Sequence, residues 1–221
     1  MTRPSILRWK GILKWTGILV ALGLATILAG LIVLTQIEKQ QAEYNQQLIQ
    51  KLTKQDASQK LTAIIYFSRS ETTALLAHHL AQGHSARLFR LEAQDYKPGL
   101  MGWINAMLDA RQHEARIMPK KIDLSAFDTV YLGSPIWLYS PAPPVWDFIK
   151  HNQFDGKAVI LVNTFNSKFE QRFINEFKEI VMHKGARSFT HQYIKRGRIG
   201  QQLSAEEMLK AFDETWINKS Y

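Results

Sequence analysis

The chain has 221 residues, enough for one ordinary domain and an appendage, and 46% of them are hydrophobic, so a packed core is feasible. It contains no cysteine, which excludes disulfides, thiolate nucleophiles and cysteine-ligated metal or iron–sulfur centres. Its net charge of +9 is divided between residues 1–59 (+4) and 60–221 (+5), so charge does not single out nucleic acid as a partner, and none is expected.

Residues 1–14 form a basic N-terminal segment with Arg3, Arg8, Lys10 and Lys14. Residues 15–35, WTGILVALGLATILAGLIVLT, carry no charge. As a helix they rise about 30 Å, the thickness of a bilayer core. The exit TQIEKQQ is a poor cleavage site, so the segment is expected to be an uncleaved transmembrane signal anchor, with the lipid bilayer as its partner. Lys39 is the one basic residue among the first fifteen after the span. The positive-inside rule therefore predicts a cytoplasmic N-terminus and a domain on the external side, periplasmic in a bacterium. Residues 36–60 are rich in Gln and Lys, and Ile37, Tyr44, Leu48 and Leu52 fall on one helical stripe. This segment is predicted to be a helical stalk and linker; its stripe is too brief to argue an oligomer.

Residues 61–221 alternate strand and helix patterns. Apolar runs at 61–67, 86–93, 127–134, 156–163 and 186–194 predict five strands. Helical patterns fall near 71–83, at 99–113, from Pro141 onward, at 168–184 and at 204–218, the last opening on a Ser cap. This alternation implies an α/β domain with a parallel sheet, whose ligands sit at the carboxyl ends of the strands.

Four hydroxyl residues, Ser68, Ser70, Thr72 and Thr73, crowd the junction of the first strand and the first helix of this domain. One would satisfy a helix cap. Four exceed that need, and free N–H groups at a helix start favour phosphate, so phosphate binding is weighted above capping. After the third strand comes GSPIWLYSPAPPVWDFI, residues 133–149. With these two motifs the chain resembles the flavodoxin-like superfamily of flavodoxins and FMN-dependent reductases. The S-x-T-G-x-T phosphate loop of that family reads Ser68-Arg69-Ser70-Glu71-Thr72-Thr73 here, and its G-x-P-x-W loop reads Gly133-Ser134-Pro135-Ile136-Trp137, followed by Leu138 and Tyr139. The resemblance spans about 62–218.

That resemblance implies a five-stranded sheet of order 2-1-3-4-5 with helices on both faces, and FMN as cofactor. Ser68, Ser70, Thr72 and Thr73 would hold the phosphate, and Arg69 and Glu71 share their loop. Pro135, Ile136, Trp137, Leu138 and Tyr139 would line the flavin ring, with Trp137 or Tyr139 stacking; core packing is the competing role for Trp137. Asn163, Thr164 and Phe165, at the end of the fourth strand, would form a third wall. Glu71 stands where the family has glycine; its carboxylate either faces the phosphate, faces solvent or pairs with Arg69. The implied function is electron transfer or reduction of a quinone-type or protein acceptor. The alternative is a domain that has lost FMN and serves as an envelope interaction module; Glu71 and the outward topology favour it. No metal site is expected: the seven histidines show no metal-binding spacing. The run Lys195-Arg196-Gly197-Arg198 follows the fifth strand at the same sheet end and reads as a surface loop.

Overall fold

A computed structural model describes residues 6–52, 61–198 and 200–217. Arg3, residues 53–60 of the linker, and Asn218 at the end of the last predicted helix lie outside the described residues, as do the side chains of Arg8, Lys10 and Lys14. Residues Ile6–Leu52 form one unbroken helix, α1, of 47 residues. It contains a stretch long and apolar enough to cross a membrane, and that stretch is not buried against the rest of the protein.

Five parallel strands make the sheet: β1 (Thr62–Tyr66), β2 (Arg87–Arg90), β3 (Thr129–Trp137), β5 (Ala158–Phe165) and β6 (Ser188–Lys195). A two-residue strand, β4 (Ser140–Pro141), pairs antiparallel with the end of β3. The order is β2-β1-β3-β5-β6, which among the parallel strands is the expected 2-1-3-4-5. The helices are α2 (Thr72–Gly83), α3 (Leu100–Asp109), α4 (Pro143–His151), α5 (Gln171–His183) and α6 (Ala205–Phe212). Ser204 caps α6 through a reciprocal capping box with Glu207, as its sequence predicts.

Each sheet face has its own core. One holds Trp146, Phe148 and Ile149 of α4 and Phe177 of α5 against Ile65, Leu132 and Leu161. The other holds Leu75, Leu76 and Leu80 of α2 and Met208 and Phe212 of α6 against Ile64, Tyr66 and Val162. Leu48, Ile49 and Leu52 of α1 pack on this second core, so the helical stalk is docked on the domain. Tyr44 departs from the expected stripe: its ring is exposed, and its hydroxyl donates to Glu206 at 2.7 Å. Ala42 and Asn45 are the residues buried on that face.

Two strands run further than their sequence pattern indicates. β3 continues through Pro135, Ile136 and Trp137, which were expected in a loop, because Leu138 and Tyr139 turn the chain back into β4. β5 likewise extends past Asn163 through Thr164 and Phe165 by pairing with Ile194 and Lys195. α3 is shorter than its pattern, ending at Asp109.

Candidate functional site

The carboxyl ends of β1, β3 and β5 surround a cavity of about 550 Å³, within the span of about 300–1,000 Å³ common for small-molecule sites. Arg69, Ser70, Thr72 and Thr73 line one wall, residues Pro135 to Tyr139 a second, and Thr164 and Phe165 a third. These are residues the sequence singled out, brought together from three separate segments. Ser68, Glu71 and Asn163 are not part of the lining.

The hydroxyl turn does not cap its helix: α2 has no side-chain cap. Its first-turn N–H groups therefore have neither an intrahelical partner nor a capping side chain. Thr73 Oγ1 meets Thr164 Oγ1 at 2.7 Å, and Ser70 Oγ lies 3.4 Å from Thr72 Oγ1. Ser68 Oγ is buried without a hydrogen-bond partner. Gly133, in the neighbouring strand, admits this turn: a Cβ there would lie 2.8 Å from Tyr66 Cβ and 3.4 Å from Thr73 Cγ2.

Glu71 adopts the left-handed conformation that explains the family glycine, with φ 59°. Its carboxylate is buried and accepts two hydrogen bonds from Arg90 of β2, at 2.6 and 2.8 Å. None of the three fates expected for it is the observed one. Arg90 wins because β2 pairs directly with β1, bringing its guanidinium alongside the turn. Arg69 pairs instead with Glu38 of α1 and donates to the Gly99 carbonyl at 3.2 Å. Burial raises the Glu38 carboxyl pKa, against the opposing pull of Arg69.

The second wall is a tight hairpin. Ile136 pairs with Pro141 and Trp137 with Ser140, leaving Leu138 and Tyr139 as its two central residues, with φ of 40° and 75°. Such turns normally use Asn-Gly, and side chains with a Cβ are strained there. Ser134 Oγ accepts from Ala142 N–H at 2.9 Å and fastens the start of α4 to β3. Trp137 packs edge-to-face on Phe67 and Tyr96, with centroids 5.5 and 5.2 Å apart, while still lining the cavity. Core packing and site lining thus coexist at Trp137. Lys168 lies over the Tyr139 ring, 5.1 Å from its centroid.

Asn163 is committed to the sheet. Its amide donates to the Ser134 carbonyl, and its Oδ1 accepts from His191 Nε2, both at 2.9 Å. Burial pushes the His191 pKa down to about 4, so the ring is neutral and can serve as that donor.

Sequence reasoning missed a cation and a wall. Arg196, read as surface loop, lines the cavity, and its Nη1 lies 3.3 Å from Thr72 Oγ1. Its guanidinium also donates to Gln41 Oε1 and the Leu203 carbonyl, and burial lowers its pKa. Among the described residues no carboxylate pairs with it. Its place just beyond the fifth parallel strand was the available signal. The missed wall comes from α1 (Leu34, Ile37, Glu38, Gln41) and α3 (Trp103, Ala106, Met107). Neither helix carries a motif that announces this role. Among the described residues no group of His, Cys, Asp and Glu could hold a metal ion.

An open parallel sheet of this order, with a hydroxyl-lined helix start and an aromatic hairpin at its carboxyl edge, defines a flavodoxin-type protein. The sequence model of the flavodoxin family matches residues 60–211, and the chain belongs to that family. A comparison with curated proteins finds no match. Among solved structures, a candidate flavoprotein from Bacteroides uniformis has 21% identity and a TM-score of 0.55, over 71% of this chain and 99% of its own. A flavoprotein from Lactobacillus acidophilus, in complex with FMN, has 19% identity and a TM-score of 0.47, over 61% and 93%. A candidate flavoprotein from Bacteroides eggerthii has 17% identity and a TM-score of 0.48, over 70% and 96%. These likenesses concern the fold.

Proposed function

We propose that the chain is a membrane-anchored FMN-binding protein that carries electrons to a quinone-type or protein acceptor. The observation that carries this reading is the convergence of an uncapped, hydroxyl-rich helix start and an aromatic hairpin on one cavity. Membership of the flavodoxin family supports it. The residues present suit a phosphate monoester. Open N–H groups, the Thr72 hydroxyl and the Arg196 guanidinium supply donors and charge at the cavity wall. The hydrophobic and aromatic side of the cavity suits a flat ring. FMN, when bound, supplies the redox chemistry. The protein's own residues bind the phosphate, screen the ring from water and fix its orientation.

The pairing of Glu71 with Arg90 bears on the alternative of a domain without FMN. A carboxylate facing the phosphate would repel it; this one is turned aside and neutralised. On this reading α1 spans the bilayer through residues 15–35, and the domain from 61 onward lies outside.

Titration of the full chain in detergent with FMN tests the proposal, because α1 contributes to the cavity. Binding should quench flavin emission and shift the visible bands, and Trp137→Ala should reduce both effects more than Trp216→Ala, whose ring lies against Tyr193. A folded chain that leaves the flavin spectrum unchanged at near-millimolar concentration overturns it.

A further inference from the structure

α3 is apolar nearly all round, LMGWINAMLD. Its small residues Gly102 and Ala106 face inward, and a Cβ on Gly102 would strike the Lys97 carbonyl at 1.9 Å. Three of its large residues face outward: Met101 is 67% exposed, Met107 42% and Leu108 74%. A water-facing helix surface would ordinarily be polar, and a grouped apolar patch marks a contact. The position of the patch identifies what covers it. Met107 and Trp103 line the same cavity wall as Leu34 and Ile37 of α1, and Leu34 lies in the last turn of the uncharged stretch 15–35. α3 therefore lies level with the end of the apolar span. The exposed bases Lys97 and Arg111 flank it on either side, where lipid phosphates would sit.

We infer that α3 is a second, interfacial membrane contact. It lies in the headgroup–acyl boundary beside the anchor, so the mouth of the cavity opens at the bilayer surface. This inference rests on the anchor reading of α1 but not on FMN binding. Taken together with the proposed electron transfer, it favours a lipid-soluble acceptor over a water-soluble protein, because apolar groups of α1 and α3 line the cavity where the bilayer meets it.

The absence of cysteine makes single-cysteine spin labelling clean. The full chain is reconstituted in nanodiscs of mixed neutral and anionic phospholipid, with Met101→Cys, Met107→Cys or Leu108→Cys labelled in turn. Ile27→Cys reports the span and Met182→Cys, on α5, reports water. Collision with oxygen, relative to a water-soluble nickel chelate, should be several-fold higher at the α3 positions than at Met182. Water-like ratios on α3 with a lipid-like ratio at Ile27 overturn the inference and leave the anchor standing. A water-like ratio at Ile27 overturns both. Shielding of α3 from both reagents also overturns it and assigns the face to a protein partner, such as a second copy. FMN titration of the unlabelled chain in the same nanodiscs reads the cofactor proposal separately.

Discussion

Removing the Arg196 guanidinium should discriminate between two flavins that differ by one phosphate. Arg196→Gln is expected to weaken FMN by about 1–3 kcal/mol, the range for losing a hydrogen bond to a charged group. Riboflavin affinity should stay unchanged; equal losses for both flavins would show that the side chain merely supports the loop. His191 provides a pH test. Its folded pKa is pushed down to about 4, below the unfolded value near 6.5, so the neutral ring is the form that folding favours. The stabilisation is fully present above about pH 6.5 and is lost as pH falls toward 4. Allowing for partial solvent screening, the loss should be about 1–2 kcal/mol across that window. His191→Gln, which keeps a donor for Asn163 but cannot titrate, should flatten this part of the stability–pH curve measured by thermal melting. A slope unchanged in the variant would assign the titration to another group.

At the scale of elements, the β3–β4 hairpin keeps two side chains in left-handed backbone where glycine or asparagine would be relaxed. Replacing Leu138-Tyr139 by Asn-Gly should raise stability by about 1–3 kcal/mol, the strain stored in two such residues less the contacts they make. It should also weaken FMN, because Leu138 and Tyr139 line the cavity. Melting temperature and flavin titration on one sample read the two effects. A variant that gains neither stability nor a binding defect would show that the turn carries no functional strain. The elements also show what a sequence can reveal. The strand–helix alternation and the two loop motifs were legible because periodicity and turn chemistry are local. The extension of β3 was not, because it depends on a two-residue turn that uses Leu and Tyr against ordinary preference. Nor was the partner of Glu71, which depends on which strand lies beside β1. Arg196 was missed for the same reason: a short basic run looks like solvated surface until the strand end and α1 fold around it.

On the scale of the whole molecule, the lopsided basic flanks of the span predict its orientation. Alkaline phosphatase fused after Tyr221 should be active, and a reporter that works only in the cytoplasm should be silent at the same site. The reverse pattern would turn the domain inward. Direction matters less to the site than stiffness does. α1 passes from the apolar span to the domain as one helix, with Asn45 Nδ2 donating to the Ser70 carbonyl and Leu48, Ile49 and Leu52 seated on the core beside α2. The described residues contain no hinge between the uncharged stretch and the cavity wall. If α1 spans the bilayer as proposed, a domain carried this way cannot swivel freely to meet a partner in bulk solution. Its encounters with the proposed acceptor would then be a planar search at a nearly fixed height, governed by lateral diffusion and by the surface density of acceptor rather than by its bulk concentration. Turnover by the embedded protein should therefore saturate with the acceptor-to-lipid ratio and stay constant when the same vesicles are diluted in buffer.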